Sequence, residues 1–412
     1  MRLSLLTLFC LNIALVLFPV LSPEWDATGA NAMFSEEISL YGKILSSVLT
    51  PLLVTGTILV ALIDARKRAI TAQVLLPSLV ICVLMTLSTT FAETVRVETM
   101  FMGLFFVLFN LYLSLMKGQP EGADMVVRIF KAYFIVWLLA PLVAMAVDPS
   151  LVGMFIIVTP IDISYHGLTD SRVGFGLWVS AFIIVLGKPR TKFEWFLLTV
   201  SVLTLLLSQS RAAILGLLLS GSYALLRQRD ARQSALGRLV ALLALCLVPL
   251  LLWSIYGRDD ALTVVSEDRG LILSRFFEFI ERHWLLGHGG MYLVDIPEID
   301  KIDVPAHNLL LQTIANYGVP ALAAFLVYFV CIFRFAQSTK ARMLLIFLLI
   351  YSMNQPVQGT GNFFNPITLL FFLVAFAVDN LTHEAARAAA RTPTGSIEGA
   401  RNRMGQATPD PA

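Results

Sequence analysis

Charge is scarce in this sequence. Only 14% of its 412 residues are Asp, Glu, Lys or Arg, while 57% are hydrophobic. An average soluble protein carries roughly a quarter charged residues. Thirty basic and twenty-eight acidic side chains cannot cover the surface of the two or three soluble domains that this length would otherwise form. The shortage excludes a cytosolic enzyme, a disordered chain and a secreted disulfide scaffold. Paired cysteines are also lacking. Cys10, Cys82, Cys246 and Cys331 stand singly inside apolar runs, so neither a disulfide framework nor a zinc site is supported. The thiols read as small apolar side chains within helices. There is no D-x-D motif, no His-rich metal spacing and no P-loop. The sequence therefore implies no metal, no cofactor and no nucleic-acid partner.

What is present is apolar sequence in long runs, with a mean hydropathy of +0.78. A spanning helix needs about 20 mostly apolar residues. Twelve runs qualify, at approximately 3–21, 38–63, 74–91, 99–116, 129–147, 174–187, 193–208, 212–226, 239–256, 309–333, 343–353 and 366–380. The expected fold is an all-α polytopic membrane protein of about 12 transmembrane helices. A helical periplasmic loop, 257–306, is inserted between helices 9 and 10. The first run also looks like a signal peptide, but no clear cleavage site follows it.

The net charge of +2 matters less than where the charges lie. Arg66-Lys67-Arg68, Lys117, Arg128, Lys131, Lys188, Arg190, Lys192, the arginines at 227, 229, 232 and 238, Arg334, Lys340, Arg342, the tail arginines and Arg2 mark alternate loops and so fall on one side of the spans. Together they are twenty-one of the thirty basic residues. Basic residues are retained in the cytoplasm, so these loops and both termini are expected there. Residues 1–383 then form the transmembrane domain. The segment 384–412 reads as a cytoplasmic tail, a short helical extension followed by disordered chain.

The nine remaining basic residues are the informative ones. Five of them, Arg258, Arg269, Arg275, Arg282 and Lys301, fall in the 257–306 loop. There Leu271, Phe276, Phe279, Ile280 and Trp284 recur near helical spacing and predict an amphipathic helix over 270–284. It reads equally as a surface helix and as a cap over a cavity. Arg211, in Ser208-Gln209-Ser210-Arg211-Ala212-Ala213, lies at the outer mouth of spans seven and eight. A guanidinium there either meets an anion or snorkels to the interface. Gly287-His288-Gly289-Gly290 is a turn that lets the backbone approach a ligand. His307 and Asn308 open span ten. The imidazole is a candidate proton acceptor, and the plainer reading is an interface histidine beside a helix-capping Asn308.

In combination these motifs resemble the O-antigen ligase and Wzy-type polymerase family. The pattern is S-R-A-A at the end of an apolar run, then Arg269 eighteen residues before Gly287 of a G-x-G turn, then His307-Asn308-Leu309, then Ile314-Ala315-Asn316-Tyr317-Gly318. It covers about 205–330. Leu273 and Trp284 depart from the tryptophan and proline of many relatives. The resemblance implies a GT-C-like integral-membrane glycosyltransferase in the bacterial inner membrane. It would be metal-independent and inverting, moving a glycan from undecaprenyl diphosphate to the lipid A core or to a lipid-linked repeat unit. The resemblance implies catalytic roles for Arg211, Arg269 and His307. Arg275, Arg282, His288 and Asn308 are expected to bind substrate or brace the loop. The rival expectation is a lipid-linked glycan flippase or another polytopic transporter, which would carry its binding charges near the bilayer midplane.

Overall fold

The computed structural model describes residues 72–92, 97–116, 120–158, 163–165, 167, 172–227, 264–290, 292–296, 301–304, 306, 308–354 and 366–391. The expected spans at 3–21, 38–63 and 239–256 lie outside these residues. Each of the other nine falls on a helix: α1 (Ala72–Phe91), α2 (Val97–Met116), α3 (Pro120–Val147), α4 (Arg172–Leu186), α5 (Lys192–Leu207), α6 (Arg211–Leu226), α8 (Leu309–Phe335), α9 (Thr339–Asn354) and α10 (Pro366–Arg391). Stretches of three helices, Ala72–Phe91, Ala123–Val147 and Leu309–Phe335, are long and apolar enough to cross a membrane. Large apolar side chains stand on their outside, including Leu76, Val83, Phe91, Val136, Val143 and Val327. Such a surface belongs in lipid rather than water. The chain is a multi-pass membrane protein.

The loop between the ninth and tenth expected spans contains α7 (Val264–His283). It starts six residues before the predicted stretch. Gly270 reads as a break because glycine is a poor helix former. Arg282 and His283 in the last turn suit the negative end of a helix dipole, and the helix runs through. The loops also hold two antiparallel ribbons that an all-α reading does not anticipate. One pairs β1 (Ile156–Val158) with β2 (Ile163–Tyr165), the other β3 (Val294–Ile296) with β4 (Lys301–Val304). Strands of three or four residues carry too little alternation to show in sequence.

Inside the bundle, α1 packs on α8, α6 on α9 and α3 on α10. Phe134, Trp137, Phe175, Trp178, Phe182 and Phe371 form a continuous aromatic contact across α3, α4 and α10. Buried polar groups find partners between helices. The hydroxyl of Tyr328, on α8, donates to Oδ1 of buried Asn110, on α2, at 2.7 Å. The carboxylate of Asp379, on α10, accepts the backbone N–H groups of Gln337 and Ser338 at the α8–α9 turn.

The helix pairing fixes two ends. On α9 and α6, Arg342 reaches the Tyr223 hydroxyl while Phe347 lies against Gly216. The two helices therefore run antiparallel, and Arg211 sits by the C-terminal end of α9. At the other end Lys340 donates to the Val185 carbonyl at 3.3 Å. Burial first, then the charges of Lys131 and Arg190, hold its ammonium below the usual lysine range. The basic loops after α4 and α8 thus gather at the end opposite Arg211.

Candidate functional site

The site end is organised by a break in α8. Gly318 has φ +82 and ψ 174 within an otherwise helical run, and Pro320 follows. In an unbroken helix the carbonyl of Ala315 would accept from Val319, and that of Asn316 from residue 320. Proline has no N–H to give, and the N–H of Val319 goes instead to the Trp284 carbonyl at 2.8 Å. The two orphaned carbonyls are taken by the Gly-rich turn: His288 N–H donates to Ala315 O and Gly289 N–H to Asn316 O, each at 2.8 Å. Buried carbonyls need such partners, so the turn and the kink complete one another. A Cβ on Gly318 would lie 2.1 Å from the Leu285 carbonyl oxygen, and one on Gly287 2.6 Å from the Asn316 carbonyl carbon. Both residues have positive φ, where glycine alone is unstrained.

The last turn of α1 closes the junction. Ser88 donates to the Leu286 carbonyl and also lies 3.3 Å from Asn316 O, while Thr89 donates to Gly289 O at 2.8 Å. Two buried amides on α8 complete it. Oδ1 of Asn316 accepts from Tyr292 N–H at 2.8 Å and from Nε2 of Gln312 at 2.9 Å. Gln312 also donates to Tyr292 O at 2.7 Å and accepts the Ala306 N–H at 2.8 Å. The sequence reading assigned nothing to Ser88, Thr89, Gln312 or Tyr292. The signal it passed over is the Gly-x-Pro at 318–320, the mark of a helix whose carbonyls need outside donors.

A small core of Ile272, Phe276, Val294, Ala306 and Ala315 seats α7 and the second ribbon on the start of α8. Apolar contact therefore binds the loop to the bundle. The backbone of Arg269 lies in α7.

Asn308 is the N-cap of α8. Its Oδ1 accepts from Leu310 N–H at 2.9 Å and Leu311 N–H at 3.2 Å, and its Nδ2 donates to the Met353 carbonyl, at the end of α9, at 3.0 Å. The capping reading is correct, and the same side chain ties α8 to α9. His307 lies outside the described residues. Its neighbours are fixed, Ala306 by Gln312 and Asn308 by Leu310, Leu311 and Met353.

Arg211 is the first residue of α6 and is exposed. The turn before it is tight: Gln209 has φ +53, and Ser210 packs on Gly176 of α4. A cation on the first turn opposes the helix dipole, so helix stability does not account for Arg211. Because Asn308 holds Met353 and α9 runs antiparallel to α6, Arg211 and Asn308 are at the same end of the molecule.

Arg275, Arg282 and His288 separate. His288 is half-buried, its ring 6.1 Å from Phe279 and 5.4 Å from Tyr292, and its backbone belongs to the junction. Arg275 and Arg282 are exposed on α7 and line a groove of about 320 Å³ between that helix and the start of the second ribbon. Arg275 pairs with Glu278 at 3.5 Å. Among the described residues no cluster of three metal-ligating side chains occurs.

No curated protein matches the chain. Residues 196–326, which hold Arg211, Arg269, the Gly-rich turn, His307 and Asn308, match the family model described as O-antigen ligase, so the resemblance read from the order of these motifs stands.

Proposed function

We propose that the chain transfers a glycan from undecaprenyl diphosphate to an acceptor hydroxyl at the periplasmic face of the bacterial inner membrane. The acceptor is a lipid A core or a lipid-linked repeat unit. One observation carries this reading. The region that matches the O-antigen ligase family, a family of glycosyltransferase-like ligases and polymerases, has its motif residues on elements that meet at one end of the bundle, away from the basic loops.

The chemistry follows from the leaving group. Negative charge grows on the lipid diphosphate as the glycosidic bond breaks. Guanidinium groups stabilise such charge with bidentate hydrogen bonds. Arg211 takes this role, with the positive dipole end of α6 adding to its own charge. Arg269 supplies the second guanidinium from α7. His307 takes the proton of the acceptor hydroxyl or orients it. Attack opposite the departing diphosphate inverts the anomeric centre, and no divalent cation is required.

The test is reconstitution of the purified protein in sealed proteoliposomes with lipid-linked glycan and acceptor. Transfer predicts stoichiometric release of undecaprenyl diphosphate with EDTA present. Movement of intact lipid-linked glycan across a bilayer without release of diphosphate would overturn the reading in favour of a flippase.

A further inference from the structure

The apolar arc of α7 is wider than the face it seats on the bundle. Ile272, Phe276, Phe279 and Ile280 hold the helix against the second ribbon and α8. Ser274, Arg275, Glu278, Glu281 and Arg282 take the opposite side and are exposed. A further strip runs along one border of the seated face. Phe277 follows Leu273 at i+4, and Trp284 follows Phe277 at i+7, so the three line up along the helix. Phe277 is 52% exposed, Trp284 55% and the adjoining Leu285 51%. A helix that only docks on a bundle needs one apolar stripe facing the core. A cap over a cavity would bury the second strip, and here it is open.

The strip continues the lipid-facing surface of the bundle. The Trp284 carbonyl accepts the Val319 N–H. Val319 heads an exposed apolar row on α8 that runs through Leu326 and Val330, at i+7 and i+11. The Leu286 carbonyl accepts from Ser88, in the last turn of α1, where Val83, Leu87 and Phe91 make a second exposed row. Because α1 packs on α8, residues 284–286 sit where both rows end. The acyl chains that cover those rows in a membrane therefore reach Trp284 and Leu285 as well. Tryptophan is at home at that boundary, with an apolar body and one N–H for the wet side. A helix with one apolar and one charged face lies in the same plane.

We infer that α7 is an interfacial helix, with Leu273, Phe277, Trp284 and Leu285 resting among the lipids of one leaflet, where headgroups meet acyl chains, and with Ser274 and Glu281 turned to water. The partner is the lipid surface itself. This contact stands without the transfer reaction, and only its assignment to the periplasmic leaflet rests on the proposed orientation. For that reaction the contact sets depth. It holds the helix that carries Arg269 at the level where the phosphates of a lipid-linked diphosphate lie, so the loop meets the donor without either one leaving the membrane.

Spin labels on the full chain test it, in nanodiscs of phosphatidylethanolamine and phosphatidylglycerol. The four native cysteines are replaced by alanine, and Ser274→Cys, Phe277→Cys and Trp284→Cys each carry one nitroxide. All three side chains are exposed, so the packed face of α7 is left alone. Relaxation by oxygen, which concentrates in lipid, is compared with relaxation by a water-soluble nickel chelate. The oxygen-to-nickel ratio is expected to be several-fold higher at 277 and 284 than at 274. Equal ratios at the three positions would put the strip in water, and protection from both reagents at 277 and 284 would put it against protein. Either result overturns the inference. A second measurement needs no label. Lipids brominated near the headgroup end of their chains should quench the Trp284 share of the fluorescence, wild type minus Trp284→Phe, more than lipids brominated near the chain end. No quenching by either lipid would overturn the contact. Release of undecaprenyl diphosphate by the wild-type chain is read separately. Lipid contact without release would leave the contact standing and overturn the transfer, and release with water-exposed labels would do the reverse.

Discussion

Asn308 does two things with one amide, and the two can be separated. Its oxygen caps α8 and its nitrogen holds the Met353 carbonyl of α9. Asn308→Ala loses both, and a cap alone is worth about 1 kcal/mol. Asn308→Asp keeps the cap but turns a carboxylate on a carbonyl. Both variants are expected to lower transfer, because the chain around His307 loses its tie to α9. Only the alanine variant should lose the cap's share of thermal stability in detergent. Equal melting curves for alanine and wild type would show that the cap contributes nothing. Tyr292 gives a pH prediction at the same scale. Burial first, and the nearby Glu278 carboxylate second, raise its phenol above the usual value. The folded form therefore holds the proton more tightly, and its contribution is complete below the unfolded value of about 10 and is lost as pH rises beyond it. Protease cutting within 264–304 should accelerate above pH ~10 in wild type and less so in Tyr292→Phe.

Among the elements, the broken helix α8 has the most consequence. Its kink sends two carbonyls to the Gly-rich turn, and the turn in exchange seats the whole loop. Gly318→Ala is expected to be among the most damaging single changes outside the reacting groups. It meets both a forbidden φ and the Leu285 carbonyl, and strain of this kind costs about 1–3 kcal/mol or more. Faster hydrogen exchange at His288 and Gly289 would report loss of the two bonds. Unchanged exchange would show that the turn is held by other means. The sequence makes the spanning helices legible, because about 20 apolar residues leave a signal that short elements cannot. The amphipathic face of α7 was legible for the same reason, apart from its start beyond Gly270. The junction was not. Its bonds join backbone groups of segments far apart in the chain, and backbone carbonyls look alike in any sequence. Arg211 and Asn308 were legible as residue types at helix ends and Asn316 as part of the Ile314–Gly318 motif, whereas Gln312 read as an ordinary polar residue in an apolar run.

For the molecule as a whole, the separation of ends decides what each side of the membrane meets. Ser274, exposed on α7, and Lys188, in the basic loop after α4, should face opposite compartments. With background from the four native cysteines subtracted, Ser274→Cys should react with an impermeant maleimide in cells whose outer membrane alone is opened. Lys188→Cys should react only after the inner membrane is lysed. The opposite pattern would invert the topology and place the site in the cytoplasm. The account depends finally on guanidinium groups meeting a departing diphosphate at that outer end. The most direct measurement is the rate of undecaprenyl diphosphate release by wild type, Arg211→Lys and Arg269→Lys at saturating donor and acceptor. Lysine keeps the charge but loses the planar fork, so each variant is expected to lose about 10²-fold or more in kcat. Release at the wild-type rate by both lysine variants would contradict the account.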